Sequence, residues 1–254
     1  MKIANVANGE WDQEWGKVEL SSYEMIIAAD GGGKHVIESG HFPDALIGDL
    51  DSIEPEILEL CRQKGIPIVS YPSQKDETDL ELACMYGVEI WQKAKEGKTK
   101  EQENRKNSES LLPEIESSHE DSREGSRFEV ESSQPEITLL GGTGGRIDHL
   151  LGNLSLLLKF FYQGYPIKMK DPQHDIYLVD GEKIIEGFPG QTLSLIPVSP
   201  KAKVSTEGFY YPLYGEYLYQ ENPRGISNVL EGKEGKIKVS EGIVLVIQLE
   251  IYKI

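Results

Sequence analysis

Two short acidic clusters carry most of the chemistry this chain could do: Gly48-Asp49-Leu50-Asp51-Ser52 and Lys75-Asp76-Glu77-Thr78-Asp79. The first spaces its aspartates i,i+2, as at the end of a strand. The second spaces them i,i+3, as at the start of a helix, so each pair aims one way. Little positive charge lies nearby in sequence to neutralise them. At an effective dielectric near 20, two like charges about 4 Å apart repel by roughly 4 kcal/mol, so converging aspartates require a bound cation, a shared proton or a cationic substrate. Hard oxygen ligands suit Mg²⁺, which keeps several waters and is commonly held by one or two carboxylates plus substrate phosphates. Taken alone, Asp76 and Asp79 are also a helix cap with a carboxylate in the first turn, and Asp49 and Asp51 a solvated turn.

Two glycine-rich turns could hold the anion that such a cation accompanies: Asp30-Gly31-Gly32-Gly33 and Gly141-Gly142-Thr143-Gly144-Gly145-Arg146. Glycine lets backbone approach an anion closely, and a following helix offers free N–H groups and a positive dipole end. Neither turn matches a Walker A loop or a full GxGxxG fingerprint, and each read singly is a tight turn. Arg146 shifts the second towards phosphate, because a guanidinium beside such a loop pairs with phosphate oxygens.

The elements that must position these residues alternate. Tyr23 to Ala29 reads as a strand running into the first glycine turn and a short helix through Ile37. Ala45 to Ile47 reads as a strand, Pro55 to Lys64 as a helix with proline near its start, Ile66 to Ser70 as a strand, and a further helix begins near Asp76. Such alternation predicts a mostly parallel sheet covered by helices, with ligands at the carboxyl ends of the strands, where Asp30, Asp49 and Asp51 fall. Order resumes at Ile137 to Leu140, followed by a helix with Ile147, Leu150, Leu151, Leu154, Leu157 and Leu158 as its apolar face. After Gln163 come short strands at Ile167–Lys170, Ile176–Val179, Lys183–Ile185, Leu193–Val198, Lys236–Val239 and Ile243–Ile251. These predict a second, all-β domain of sandwich or partial-barrel type. The expected division is an α/β domain over residues 1–164 and a β-sandwich-like domain over 165–254. Residues 95–134, rich in Ser and Glu and poor in large apolar residues, read as a disordered insertion because their composition does not offset the entropy of ordering.

A chain of 254 residues with formal charge −17 can bury a large core, but repels nucleic acid and anionic membrane unless a local basic patch intervenes. Met1 to Trp15 has no basic start followed by an apolar stretch, and Ile243 to Ile251 is too short to span a bilayer, so a cytoplasmic home is expected. Cys61 and Cys84 have neither CxxC nor metal-ligand spacing and read as buried apolar residues. None of the five histidines, His149 included, has ligand spacing. The aromatic run Phe209-Tyr210-Tyr211 with Tyr214, Tyr217 and Tyr219 reads mainly as strand packing, although an exposed tyrosine face would suit a flat cationic ring.

In order, Ala29-Asp30-Gly31-Gly32, Pro43-Asp44, Ile47-Gly48-Asp49-Leu50-Asp51-Ser52, Lys75-Asp76-Glu77-Thr78-Asp79-Leu80 and Gly141 to His149 resemble the thiamine pyrophosphokinase family. Gly208-Phe209-Tyr210-Tyr211-Pro212-Leu213 and Gly225-Ile226-Ser227-Asn228 are similar to that family's second-domain elements. The resemblance spans nearly the whole chain outside the insertion. It implies an α/β domain, a β-sandwich-like domain, and a homodimer with active sites at the subunit interface. It further implies transfer of pyrophosphate from ATP to the hydroxyethyl group of thiamine, releasing AMP. On the matching positions it implies Asp49, Asp51, Asp76 and Asp79 as catalytic Mg²⁺ ligands. Asp30, Gly31, Gly32, Gly141, Gly142, Gly144, Gly145, Arg146 and Asp148 would then bind ATP, and Tyr211, Ser227 and Asn228 thiamine. Gly33-Lys34 where many relatives have Ala-Asn, Leu50 for a frequent Phe, and the long insertion depart from the pattern.

Two rival readings remain open on the residues. A strand ending in Asp-x-Asp also opens the aspartate-nucleophile phosphohydrolases, which would carry a covalent phosphate on Asp49. Against that, the motif follows an earlier strand with its own glycine turn and ends in Ser52-Ile53 rather than threonine or valine. A non-catalytic thiamine- or nucleotide-sensing module would not need the acidic set.

Overall fold

A computed structural model describes residues 1–109 and 134–250, with backbone alone over 98–109. Its first half runs β1 (Lys2–Val6), α1 (Gln13–Leu20), β2 (Met25–Ala29), α2 (Gly32–Glu38), β3 (Ala45–Gly48), α3 (Pro55–Gln63), β4 (Ile68–Ser70), α4 (Asp79–Glu109), β5 (Glu136–Leu140), α5 (Ile147–Tyr162) and β6 (Ile167–Lys170). Strands β1 to β6 pair parallel in the order β6-β5-β1-β2-β3-β4. Burial on both faces explains their near-continuous apolar runs. Ile3, Ile27, Ile47, Ile137 and Leu139 pack on one side with α4 and α5, while Ala4, Val6, Ala28, Leu46 and Leu140 pack on the other with Trp15, Val36 and Cys61.

Strand β1, which no sequence signal singled out, stands between β2 and β5 and thereby brings the two glycine turns side by side. Helix α4 begins three residues later than expected, capped by Thr78, whose Oγ1 accepts from the Glu81 N–H at 3.2 Å. It also runs on to Glu109, so residues 95–109 are helical rather than unstructured. Their Lys, Glu, Gln and Arg content favours helix without an apolar face to give it periodicity. The rest of the expected insertion, residues 110–133, lies outside the described residues.

The second half comprises β7 (His174–Val179), β8 (Glu182–Glu186), β9 (Thr192–Pro197), β10 (Lys201–Glu207), β11 (Tyr214–Tyr219), β12 (Asn228–Val229), β13 (Glu234–Glu241) and β14 (Val244–Leu249). Strand β7 pairs antiparallel with β6 and extends the first sheet through β14, β9 and β12, giving ten strands in all. A four-stranded antiparallel sheet, β11-β10-β13-β8, closes over this extension. Val179, Ile185, Leu195, Val204, Phe209, Ile237 and Val246 fill the space between the two sheets. Strand β6, grouped by its shortness with the second half, belongs instead to the parallel set. The alternating Lys201-Ala-Lys-Val-Ser-Thr-Glu207 forms a strand beyond those expected, with Ala202, Val204 and Thr206 pointing inward as period-two burial demands. Both cysteines are buried and free. No helix among the described residues is long and apolar enough to cross a membrane.

Candidate active site

Three carboxylates meet at the carboxyl ends of β2 and β3. Asp30 closes β2, Asp49 follows β3, and Asp79 opens α4, and one oxygen from each lies within 4.8 Å of the others. The chain bends sharply to bring them there: Asp30 has φ 47° and Leu50 φ 67°, left-handed conformations that cost non-glycine residues free energy. Gly48, at φ 152°, leaves the room they need, because a Cβ there would lie 3.0 Å from the Asp30 Cβ and 3.2 Å from Asp79 Oδ1.

The three groups differ in environment. Asp30 is 8% exposed, and its Oδ1 is buried without a hydrogen-bond partner. Burial pushes its pKa above the ordinary carboxylate value, hydrogen bonds from Ser52 and the Gly31 N–H oppose the rise, and the neighbouring Asp79 and Asp51 add to it. Asp49 is held low, chiefly by a hydrogen bond from Ser73, then by the Asp51 N–H and the charge of Lys75. Asp79 Oδ1 accepts from Lys75 Nζ at 2.7 Å. Lys75 thus supplies positive charge that the sequence reading discounted, because the loop before α4 folds it back on its own motif. An unpartnered buried oxygen among hard donors fits a divalent cation.

Asp51 and Asp76 stand outside this triad. Asp51 is exposed and accepts from Ser52 Oγ at 2.9 Å, and Asp76 is exposed in the loop ahead of α4. Ser52, Ser73 and Lys75 complete the surroundings of the triad, yet their roles depend on loop conformation rather than on spacing in the sequence.

The glycine turns converge through the segment after β1. The Gly9 N–H donates to Gly141 O at 2.9 Å and the Glu10 N–H to Thr143 O at 3.1 Å. Glycine is required on both sides: a Cβ on Gly141, at φ 62°, would lie 2.5 Å from Ala7 O, and one on Gly32 would lie 2.0 Å from Val6 O. His35 Nε2 reaches Gly9 O at 3.1 Å while its ring stacks on Trp11 at 5.2 Å and 9°. Asn153 of α5 donates to Gly142 O at 2.8 Å. Gly9, Trp11, His35 and Asn153 lie outside the residues expected of the site; the Asn8-Gly9 step closing an apolar run is the available signal. Arg146 and Asp148, both exposed at the start of α5, form a two-pronged pair at 3.1 and 2.5 Å. Hydrogen bonding from Arg146 draws the Asp148 pKa down to about 2.

The aromatic run lies elsewhere, beside β12. Phe209 is buried, but Tyr210, Tyr211 and Tyr214 are 63%, 62% and 80% exposed, so most of the run is surface rather than the packing expected. Tyr210 and Tyr211 meet edge to face at 4.8 Å and, with Leu195, Leu213, Arg224 and Asn228, line a cleft of about 380 Å³. The Asn228 side chain is occupied with backbone: Oδ1 accepts from the Tyr211 N–H at 3.1 Å and Nδ2 donates to Tyr211 O at 2.8 Å. It fixes Tyr211 in place. Ser227, at φ 60° and exposed, donates its N–H to Ser194 Oγ at 3.1 Å.

Residues 17–169 match the model of the thiamin pyrophosphokinase catalytic domain, and residues 173–244 that of the thiamin pyrophosphokinase vitamin B1 binding domain. The chain belongs to the thiamine pyrophosphokinase family. Thiamine pyrophosphokinase of Bacillus subtilis is 26% identical over 230 residues, covering 89% of this chain and 87% of that protein. Thiamine pyrophosphokinase 1 of Oryza sativa is 24% identical, covering 89% and 79%. Solved structures of thiamine pyrophosphokinase from B. subtilis (TM-score 0.74, 24% identity, 99% and 100% covered) and of thiamin pyrophosphokinase from Candida albicans (TM-score 0.74, 20% identity, 98% and 90% covered) share the fold. Neither the phosphohydrolase nor the sensing-module reading finds support among them.

Proposed function

We propose that this chain is an Mg²⁺-dependent thiamine pyrophosphokinase that moves the terminal pyrophosphoryl group of ATP onto thiamine, with each active site shared between two copies of the chain. The observation that carries the reading is the carboxylate triad with its orphaned Asp30 oxygen, set at the strand ends beside two glycine turns, in a chain matched by both domains of the family. The hydroxyethyl oxygen of thiamine attacks the β-phosphorus of ATP, the bond from that phosphorus to the α,β-bridging oxygen breaks, and AMP leaves with the bridging oxygen.

Asp30, Asp49 and Asp79 would hold Mg²⁺, which would supply charge neutralisation for the phosphates, while Asp51 and Asp76 stay exposed on the same loops. The residues themselves do the positioning. The glycine turns at Gly31-Gly32 and Gly141 to Gly145 present N–H groups to the phosphates, and Arg146 exchanges Asp148 for phosphate oxygens. A carboxylate held low, as Asp49 is, stays ionised to orient the alcohol proton. Tyr211 offers its exposed ring face to the cationic thiazolium or the aminopyrimidine, on the backbone that Asn228 holds.

Separation within the sheet supports the dimer. Asp49 follows β3, while Tyr211 sits by β12, eight strands away in the same sheet, or roughly 35–40 Å at ~4.8 Å per strand. In-line transfer needs the reacting atoms about 3–3.5 Å apart, so the triad of one chain works with the tyrosine cleft of another. A cytoplasmic location, where ATP and Mg²⁺ are abundant, accords with this chemistry.

Incubation with ATP, Mg²⁺ and thiamine and identification of the products tests the reaction. AMP and thiamine diphosphate in equal amounts are expected. Inorganic phosphate without AMP would mark a phosphohydrolase, and no turnover a binding module.

A further inference from the structure

Lys75 is already seated in the triad as a cation. Its Nζ donates to Asp79 Oδ1 at 2.7 Å, and the two side chains are only 12% and 28% exposed. The loop holds it there: the Tyr71 N–H bonds Gly48 O at 2.9 Å, tying the start of the loop to the end of β3, and Thr78 fixes its other end as the cap of α4. One ammonium against three carboxylates leaves negative charge in excess, and the buried Asp30 Oδ1 still lacks a partner. Lys75 therefore neutralises the cluster in part and competes for an oxygen that a divalent cation would take.

We propose that Lys75 is a tethered counter-ion of the triad, displaced from Asp79 onto a phosphate oxygen of the nucleotide when a divalent cation enters. This deepens the pyrophosphokinase reading and rests on it. An ammonium released from Asp79 stays within a side chain's reach of the cation site, and a compact point charge on a flexible stem suits a moving phosphate. It ties cation entry to the arrival of positive charge at the group being transferred. It also keeps carboxylates from facing one another uncompensated in the empty site.

Mn²⁺ binding to nucleotide-free protein, followed by calorimetry, tests the displacement separately from turnover. Lys75→Gln should bind Mn²⁺ about 10-fold more tightly than wild type, since the charge-assisted bond it must break is gone, yet turn over at least about 10-fold more slowly. Lys75→Arg should keep an Mn²⁺ affinity close to wild type, which serves where the glutamine variant folds poorly. A purely structural ion pair predicts weaker binding and slower turnover together. Unchanged or weaker Mn²⁺ binding by Lys75→Gln, with Asp79→Asn losing it, overturns the counter-ion role and leaves the pyrophosphokinase reading standing. Equal Mn²⁺ binding by wild type and Asp79→Asn overturns the triad as the cation site, and the proposal with it.

Discussion

At the scale of the residue, Asp30 holds the sharpest conflict between stability and function. A nearly buried carboxylate with one orphaned oxygen and a left-handed backbone is tolerated where a ligand completes it. Asp30→Asn removes the charge with little change in volume, so the metal-free variant should melt a few degrees higher than wild type at neutral pH and have no measurable turnover. The pH dependence has a definite sign. Because the folded pKa is raised from the ordinary value of 3.8, the folded state binds more protons than the unfolded state as pH climbs from that value through the folded one. Wild-type stability then falls relative to Asp30→Asn over that window, and excess Mg²⁺ closes the gap at neutral pH. Melting curves of both proteins across pH, with and without Mg²⁺, check this; a variant less stable than wild type at every pH would contradict it. The residue types of the triad were legible in the sequence, but its membership was not. Asp51 and Asp76 share the spacing of their partners but stay exposed, Asp51 just past the bend at Leu50 and Asp76 ahead of the cap at Thr78.

At the scale of the element, α4 does two jobs along one helix. Its first turns bring Asp79 to the triad and bury Leu80, Leu82, Ala83, Cys84 and Val88 on the sheet. Near Gln92, whose side chain reaches Tyr165 Oη at 3.4 Å, it comes level with the turn that leads into β6. Residues beyond that point are rich in charge, and their composition supports no core. Replacing residues 98–133 with a short Gly/Ser linker should therefore leave turnover within about 2-fold and the melting temperature within a few degrees, since closure entropy changes slowly with loop length. A large loss of either, by steady-state assay and calorimetry, would show that the segment packs or regulates. Elements are most legible where burial leaves a plain apolar pattern, as in β2, β3 and β5, buried on both faces, and in the amphipathic α3. Strand β1 carries only a weak signal, because its short apolar run is closed by the Asn8-Gly9 step on one side and by no turn on the other. Helix α5 was only partly understood: Leu157 and Phe160 are buried, whereas Ile147 and Leu151, on the expected apolar face, are 74% and 59% exposed near the glycine turn.

At the scale of the whole molecule, one sheet carries the carboxylate triad near one edge and the aromatic cleft at the other, and this separation is what the proposed shared site rests on. The exposed Ile147 and Leu151 beside Arg146, and the exposed Tyr210, Tyr211 and Ile226 beside β12, are the apolar surfaces that a second copy would cover. Two variants, each dead for a different reason, separate a shared site from a self-contained one. Asp79→Asn disables the cation end. Tyr211→Lys sets a like charge against cationic thiamine at an exposed position that leaves the fold intact, at a cost of several kcal/mol in binding. Alone, neither should form thiamine diphosphate at low thiamine concentration. Co-expressed in equal amounts, half of the dimers are mixed, and each mixed dimer pairs one intact triad with one intact cleft, restoring about a quarter of wild-type sites. The decisive measurement is the rate of AMP and thiamine diphosphate formation by the co-expressed pair: recovery to about a quarter of the wild-type rate is predicted, and a mixture as inactive as its two components, with mixed dimers demonstrably present, would contradict the account.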